Sequence, residues 1–419
     1  MTIMEQSARR RIWPIHLLLG WLNLALSAPV IFLYIGLPLI LRQQGWSGTE
    51  IGLLQLAGLP ALLKIVLATA IERHRWGTHS YRNWALALIA LYASLLLLFA
   101  ANDPALSSGW TIFGMALALN LVAAWSDIPV NALAIRLLPE EERVRAGAIR
   151  SAATSLAAIA GGGIMLVLHG RFGWAVPART LACCLVAGLA AMAMVASLSS
   201  PPTAPALEGS EKPANHTDWR GFFIQAGAWR WTLLLLLYVP FIGTAWVYLK
   251  PLLLDHGLAA QQIAVSVGIV GGAVSALASL AANTLTRRVG FAPALPLVAI
   301  YGLLALLGLA IALAVGAPAP VLIPATMGIA IALGAASGLI FGQMMQMARP
   351  GLAALDYGIQ TNIFIIARTL VPVLAGVALD HAGPLGMLAL LGLGTLAALL
   401  VTLLRPKPAA GEPAKTLSI

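Results

Sequence analysis

The sequence predicts an all-α polytopic membrane protein with twelve transmembrane helices in two six-helix halves, and three observations carry that prediction. The first is solvent. Apolar residues make up 60% of the chain and charged residues only 10%, with a mean hydropathy of +0.90. Soluble domains carry about 25% charged residues, so there is too little polar surface here to face water all round. The second is length. A helix needs ~20 apolar residues to cross a bilayer, and 419 residues with short connections allow about a dozen crossings. The third is pattern. Lipid gives the backbone no hydrogen-bond partner, which leaves helix bundles or closed barrels. The apolar runs here lack the in–out alternation of barrel strands.

Taken in order, the apolar runs place helices near 15–40, 48–70, 84–101, 110–134, 147–169 and 176–198 in the first half. The second half has them near 231–253, 262–285, 291–315, 321–347, 359–379 and 385–404. The basic loops RHRWGTHSYR (73–82) and TRRVG (286–290) separate the second and third helix of each half. The short loops GWSGTEIGL (45–53) and GLAAQQIAV (257–265) open the second helix of each half, an internal echo. Pro60, Pro129, Pro240 and Pro372 fall inside spans and remove a backbone hydrogen bond each. Gly334, Gly338 and Gly342, and Gly268 with Gly272, have the four-residue spacing that lets helix backbones approach. Cys183 and Cys184 read as small packing residues.

The two halves are expected at 1–198 and 231–404. Between them, 199–230 is a linker rich in Pro, Ser and charge whose composition cannot bury enough surface to order itself. Its last part, WRGFFIQAGAWRW, is aromatic and basic and reads as a short helix at the membrane interface. Residues 405–419 form a tail. The net charge of +10 is a topology signal. Arg42, Arg171, Arg179 and Lys250 fall on one side of the membrane and nearly all other Lys and Arg on the opposite side. The basic side is cytoplasmic, so both termini are expected there. The charge therefore argues for lipid, not nucleic acid, as the partner surface. The basic N-terminus before the first helix reads as the start of an uncleaved span.

Charges inside spans are the informative residues, because each is costly unless paired or wetted. Lys64 lies about sixteen residues into the second helix and Asp127 about seventeen into the fourth, so at ~1.5 Å per residue they sit at nearly equal depth. Two readings stand open for them. They are an ion pair that fixes two helices, or a proton-linked switch in which Asp127 takes a proton when the pair opens. Arg368 lies about nine residues into the eleventh helix, ~14 Å along it. It either meets Asp127 in one conformation or holds an anionic substrate. Two cations against one anion point to an anionic cargo.

Asn23, Tyr34, Gln55, Asn120, Trp125, Trp246, Gln343, Gln346, Gln360 and Asn362 are polar or aromatic residues inside spans and join Arg368 as candidate substrate contacts. Singly each also suits helix–helix bonding; together they suit a polar organic molecule with aromatic faces. Glu72, Arg73, Glu141 and Arg143 are candidate gate charges at the cytoplasmic mouth, the last two within the elbow PEEERVRAG. Met344, Met345 and Met347 read as packing. No His, Cys and carboxylate cluster indicates a metal, and no phosphate-binding glycine motif indicates ATP. No cofactor is expected, and no second catalytic group near Asp127 suggests an embedded enzyme.

Twelve spans in two halves resemble the major facilitator superfamily. Its loop 2–3 motif is matched in degenerate form by Ala68, Glu72, Arg73 and Arg82. The run SDIPVNA through LPEEER to the following Gly-Ala (126–148), with Leu-Pro-x-x-Leu-Lys at 59–64, is similar to the muropeptide permeases of the AmpG type. Those carry a second acid where this chain has Asn131. GGGIMLVLHGRFGW (161–174) and ARPGLAALDYGIQTN (348–362) resemble the RhtX/FptX siderophore importers. The resemblance implies proton-driven import of an anionic organic substrate, a siderophore or its iron complex, across a bacterial inner membrane by a monomer. Alternatives are a muropeptide or other anionic-metabolite permease, or a small-molecule exporter.

Overall fold

A computed structural model describes residues 3–74, 76–77, 79–138, 149–150, 153–194, 219–225, 227–347 and 353–404, and all the regular structure among them is helical. Among the described residues ten helices are long and apolar enough to cross a membrane. In chain order we label α1 (Trp13–Gln43), α2 (48–73), α3 (Ser80–Ala101), α4 (Gly109–Leu137), α5 (Ala153–Phe172) and α6 (Ala175–Met194). After the short helix Trp219–Ile224 come α7 (Ala228–Asp255), α8 (Ala260–Thr286), α9 (Phe291–Ala314) and α10 (Ala319–Gln346). The final run, Ala353–Leu403, is broken at Gly383 into α11 (353–382) and α12 (384–403). Gly383 has φ +70°, a left-handed backbone that glycine adopts without a Cβ penalty, and Pro384 follows as the first residue of the next helix. With that run divided and α2 added, the helices agree with a twelve-span chain.

The aqueous ends obey ordinary capping chemistry. Ser47 and Glu50 form a reciprocal capping box at the start of α2, with Glu50 N–H donating to Ser47 Oγ at 3.1 Å and Ser47 N–H to Glu50 Oε2 at 2.8 Å. Ser108 caps α4 by accepting from Thr111 N–H at 3.2 Å. Along the spans the solvent is plainly apolar. On α9, Leu295, Val298, Ala299, Leu306 and Leu309 are buried, while Leu297, Ile300, Leu304, Leu307 and Ile311 on the other face are exposed. A helix equally greasy on its exposed side belongs in lipid, and the chain is a multi-pass membrane protein.

Several helices depart from regular α geometry. Residues Gln55–Leu63 of α2, around Pro60, tighten into a 3-10 turn. Among the described residues three helices widen into π-turns: Phe32–Gly36 in α1, Ala160–Ile164 in α5 and Ala264–Val270 in α8.

The chain packs as two compact units, one comprising Met1–Glu208 with Val247–Ala273 and the other Gly209–Trp246 with Val274–Ile419. In the first, α3 lies along both α4 and α6. The three π-turns also meet there through glycine. A Cβ on Gly161 would come within 2.8 Å of the Phe32 nitrogen, and one on Gly163 within 2.7 Å of the Gly268 carbonyl carbon. In the second unit, α9 packs on α10 and α12. There Gly334 and Gly338 of α10 rest against the backbone of Ser275 and Ser279 of α8, leaving no room for a methyl group. The four-residue glycine spacing in α10 thus serves close packing. The first helix begins at Ile3, well before the apolar run proper, and reaches Gln43. Linker residues 195–218 and tail residues 405–419 lie outside the described residues.

Candidate functional site

The equal depths of Lys64 and Asp127 become a contact. Lys64 stands where the 3-10 turn of α2 returns to α-helix, and its Nζ lies 2.8 Å from Asp127 Oδ2 on α4. Asp127 is the hub of a wider set. Asn131, one turn further along the same face of α4, donates its amide to Asp127 Oδ1 at 2.9 Å and to the Asp127 carbonyl at 2.6 Å. Arg150, at the entry to α5, donates from Nη1 to Asn131 Oδ1 at 2.8 Å. Its Nη2 is 3.3 Å from each Asp127 oxygen. Helices α2 and α4 and the start of α5 are thereby tied through one carboxylate.

Charge and exposure set what the cluster can do. Among the described residues two cations share one anion, so that group carries a net positive charge. The Asp127 side chain is 21% exposed, while Lys64 and Arg150 are 40% and 47% exposed. The carboxylate is the sheltered member and the cationic heads reach the surface of the unit. Such an arrangement can hold its own carboxylate or exchange it for an external anionic group. Beside it, Trp125 stacks at 5.8 Å on Trp84, which in turn meets Trp76 at 5.8 Å. Trp84 Nε1 donates to the His74 carbonyl, folding the basic 2–3 loop onto α3. The buried Trp125 Nε1 has no hydrogen-bond acceptor among the described residues.

The other candidates divide. In the first unit Asn23 is buried and Asn120 half-buried, and their amides donate to the carbonyls of Leu19 and Ala116, each on its own helix. Gln55 is buried and reaches the carbonyl of half-buried Tyr34 at 3.5 Å. In the second unit Trp246 is buried, while Arg368, Gln343 and Asn362 are half-buried. Gln360, expected as a substrate contact, is fully buried with its amide engaged inside the unit. It accepts from Trp231 Nε1 at 2.6 Å and donates to the Met344 and Asp356 carbonyls at 3.1 Å each, which makes it a bond between α7, α10 and α11. Of the gate charges, Arg73 is exposed. Glu141 and Arg143 lie outside the described residues, as do the side chains of Glu72 and Gln346.

One expectation needs correction. Lys250, counted as a charge marking one face of the membrane, is fully buried in α7. Helix α7 runs on to Asp255, so Lys250 is a full turn inside its end, and its neighbours surround it. Its ammonium donates to the carbonyls of Gly162 and Ile35. Sequence reasoning also missed the role of Arg150, counted only among the cytoplasmic-side charges, and the bridging role of Asn131. The i, i+4 spacing of Asp127 and Asn131 was a legible signal for the second.

Comparison with known proteins agrees with this architecture. Residues 17–370 match the family described as Major Facilitator Superfamily. Among solved structures, a bacterial homologue of the human lysosomal transporter Spinster, in an inward-facing and unoccupied conformation, aligns with TM-score 0.66 at 14% identity over 94% of both chains. A D-xylose–proton symporter aligns with TM-score 0.68 at 14% identity, covering 93% of this chain and 97% of that one. The nucleoside transporter NupG aligns with TM-score 0.68 at 12% identity, covering 92% and 98%.

Proposed function

The chain belongs to the Major Facilitator Superfamily, and from that premise we propose that it is a secondary transporter that imports an anionic organic substrate, a siderophore or its iron complex, using the proton-motive force. The observation that carries the reading is the sharing of one sheltered carboxylate, Asp127, by two part-exposed cations, Lys64 and Arg150, among membrane-spanning helices. An anionic group entering between Lys64 and Arg150 competes with Asp127 for them. Once released from its cations, Asp127 takes up a proton, because a carboxylate without a counter-charge in low dielectric favours its neutral form. Cargo and proton are thereby linked at one hub. Arg368 is a further candidate cation for an anionic substrate, and the half-buried Tyr34, Gln343 and Asn362 are candidate polar contacts.

In this reading the membrane is a bacterial inner membrane, both termini are cytoplasmic and the monomer is the working form. The six-helix halves 1–198 and 231–404 are the moving parts, joined by 199–230 and followed by the tail 405–419. Glu72, Arg73, Glu141 and Arg143 form the cytoplasmic gate. The siderophore assignment rests on the resemblance of 161–174 and 348–362 to the RhtX/FptX importers, and the AmpG-like run around Asp127 makes muropeptides the rival cargo. Growth of a deletion strain under iron limitation on single siderophores, beside a muropeptide recycling assay, separates them. Loss of growth on one siderophore with normal recycling is expected. Normal iron-limited growth with failed recycling would transfer the assignment to muropeptides.

A further inference from the structure

Lys250 is not used by the transport chemistry above, yet it is a lysine with no exposed surface, one turn inside the end of α7 in unit 1. Among the described residues no carboxylate pairs with it. A buried ammonium normally takes a carboxylate partner or is replaced by an apolar residue. Here two backbone carbonyls hold it, and both belong to π-turns: Ile35 in the π-turn of α1, at 3.2 Å, and Gly162 in the π-turn of α5. A π-turn disturbs the i→i−4 hydrogen-bond ladder and leaves a carbonyl able to accept from outside its helix. The widened turns thus provide acceptors that regular helices would keep for themselves.

The same end of unit 1 carries two further ties. Arg42, near the end of α1, grips Asp255 at the end of α7: Nε lies 3.0 Å from both carboxylate oxygens and Nη2 2.7 Å from Oδ2. Tyr248, fully buried on α7, donates its hydroxyl to the Gly48 carbonyl at the start of α2, at 2.8 Å. The π-turn of α8 rests on that of α5 through Gly163 and Gly268 without side chains between them. The α7 and α8 ends are therefore held against α1, α2 and α5 by a cation on carbonyls, a hydroxyl on a carbonyl and one bidentate ion pair.

We propose that Lys250 is the latch of this closed face: its ammonium, docked on the α1 and α5 π-turn carbonyls, holds the α7–α8 ends shut, and its release is the step that opens the face. The chemistry suits a contact made and broken in every cycle. Separating a buried ammonium from a carboxylate leaves two charges to be solvated. Separating it from carbonyls leaves one charge and two neutral groups, all of which water satisfies as the face opens. Arg42 and Asp255, already part-exposed, reinforce the closed arrangement at its rim. The proposal rests on the transporter reading, but its test needs no knowledge of cargo.

Spin labels at Gln43→Cys and Ala259→Cys, both exposed positions, report the separation of the α1 and α8 ends by pulsed electron paramagnetic resonance. The background carries Cys183→Ser and Cys184→Ser. Lys250→Met, which keeps the bulk and removes every donor, is expected to raise the ratio of long to short distances about tenfold, equivalent to ~1.4 kcal/mol. Lys250→Arg, which keeps charge and donors, should stay near the parent distribution. Asp255→Asn should shift it in the same direction by less. If Lys250→Met does not reach the membrane, Lys250→Leu is measured with the same expectation. An unchanged distribution in the donor-free variant, or a larger shift from Asp255→Asn, would overturn the assignment. Failure of siderophore uptake with the expected distance shifts would reject the cargo and leave the latch standing.

Discussion

Replacing Asp127 by Asn tests whether this carboxylate is the hub on which α2, α4 and the start of α5 converge. The substitution keeps shape and leaves an amide oxygen able to accept, but among the described residues it removes the only negative charge facing Lys64 at 2.8 Å and Arg150 at 3.3 Å. Exposed ion pairs contribute about 0–1 kcal/mol, whereas removing one partner of a buried pair costs about 3–5 kcal/mol. With side chains between 21% and 47% exposed, the cost falls between those limits, roughly 1–3 kcal/mol. Lys64→Gln removes one of the two cations and leaves Asp127 with Arg150 and Asn131, so its cost is smaller, roughly 0.5–1.5 kcal/mol. The double variant loses the shared interaction only once, and its cost falls short of the sum of the singles. Equilibrium unfolding in mixed micelles, followed by tryptophan fluorescence to which the Trp84–Trp125 stack contributes, measures all three. A larger loss for Lys64→Gln than for Asp127→Asn, or full additivity, would refute the hub.

Arg368→Ala should weaken binding of an anionic substrate at least tenfold more than binding of a neutral analogue, about 1.4 kcal/mol of charge-dependent affinity; isothermal titration with the two ligands reads the difference, and equal losses would make Arg368 structural. Gly334→Ala should destabilise by roughly 1–3 kcal/mol, because its methyl group would meet the Ser275 backbone. Gly308→Ala, with nothing within 4 Å of the new methyl, should be neutral or slightly stabilising by the helix preference of alanine. Unfolding midpoints of the two variants in the same micelles check the contrast, which vanishes if helix approach in α10 is not set by glycine.

What the sequence disclosed depends on which physical rule governs each residue. Helix rise is a local constant, so counting residues from the outer ends brought Lys64 and Asp127 to one depth, and they are in contact. Composition and run length disclosed an all-helical membrane chain for the same reason, since both read the solvent directly. Lys250 failed because counting charges by loop assumes that a lysine near a helix end reaches water. It cannot see carbonyls brought from α1 and α5, more than eighty residues away in the chain. The π-turns that offer those carbonyls depend on glycine contacts such as Gly163 on Gly268, which leave no local pattern. Gln360 was judged by polarity alone, whereas its partners Trp231 and Met344 come from other helices. Arg150 sits at the seam between a charged loop and a span, where loop and lining residues look alike in sequence.

The most direct measurement of the central claim is accumulation of labelled ferric siderophore in proteoliposomes carrying an imposed proton gradient, wild type beside Asp127→Asn. The account predicts accumulation above the external concentration for the wild type, abolished by collapsing the gradient and absent in Asp127→Asn even though that variant remains folded in the bilayer. Gradient-independent uptake, or full accumulation by Asp127→Asn, would contradict it.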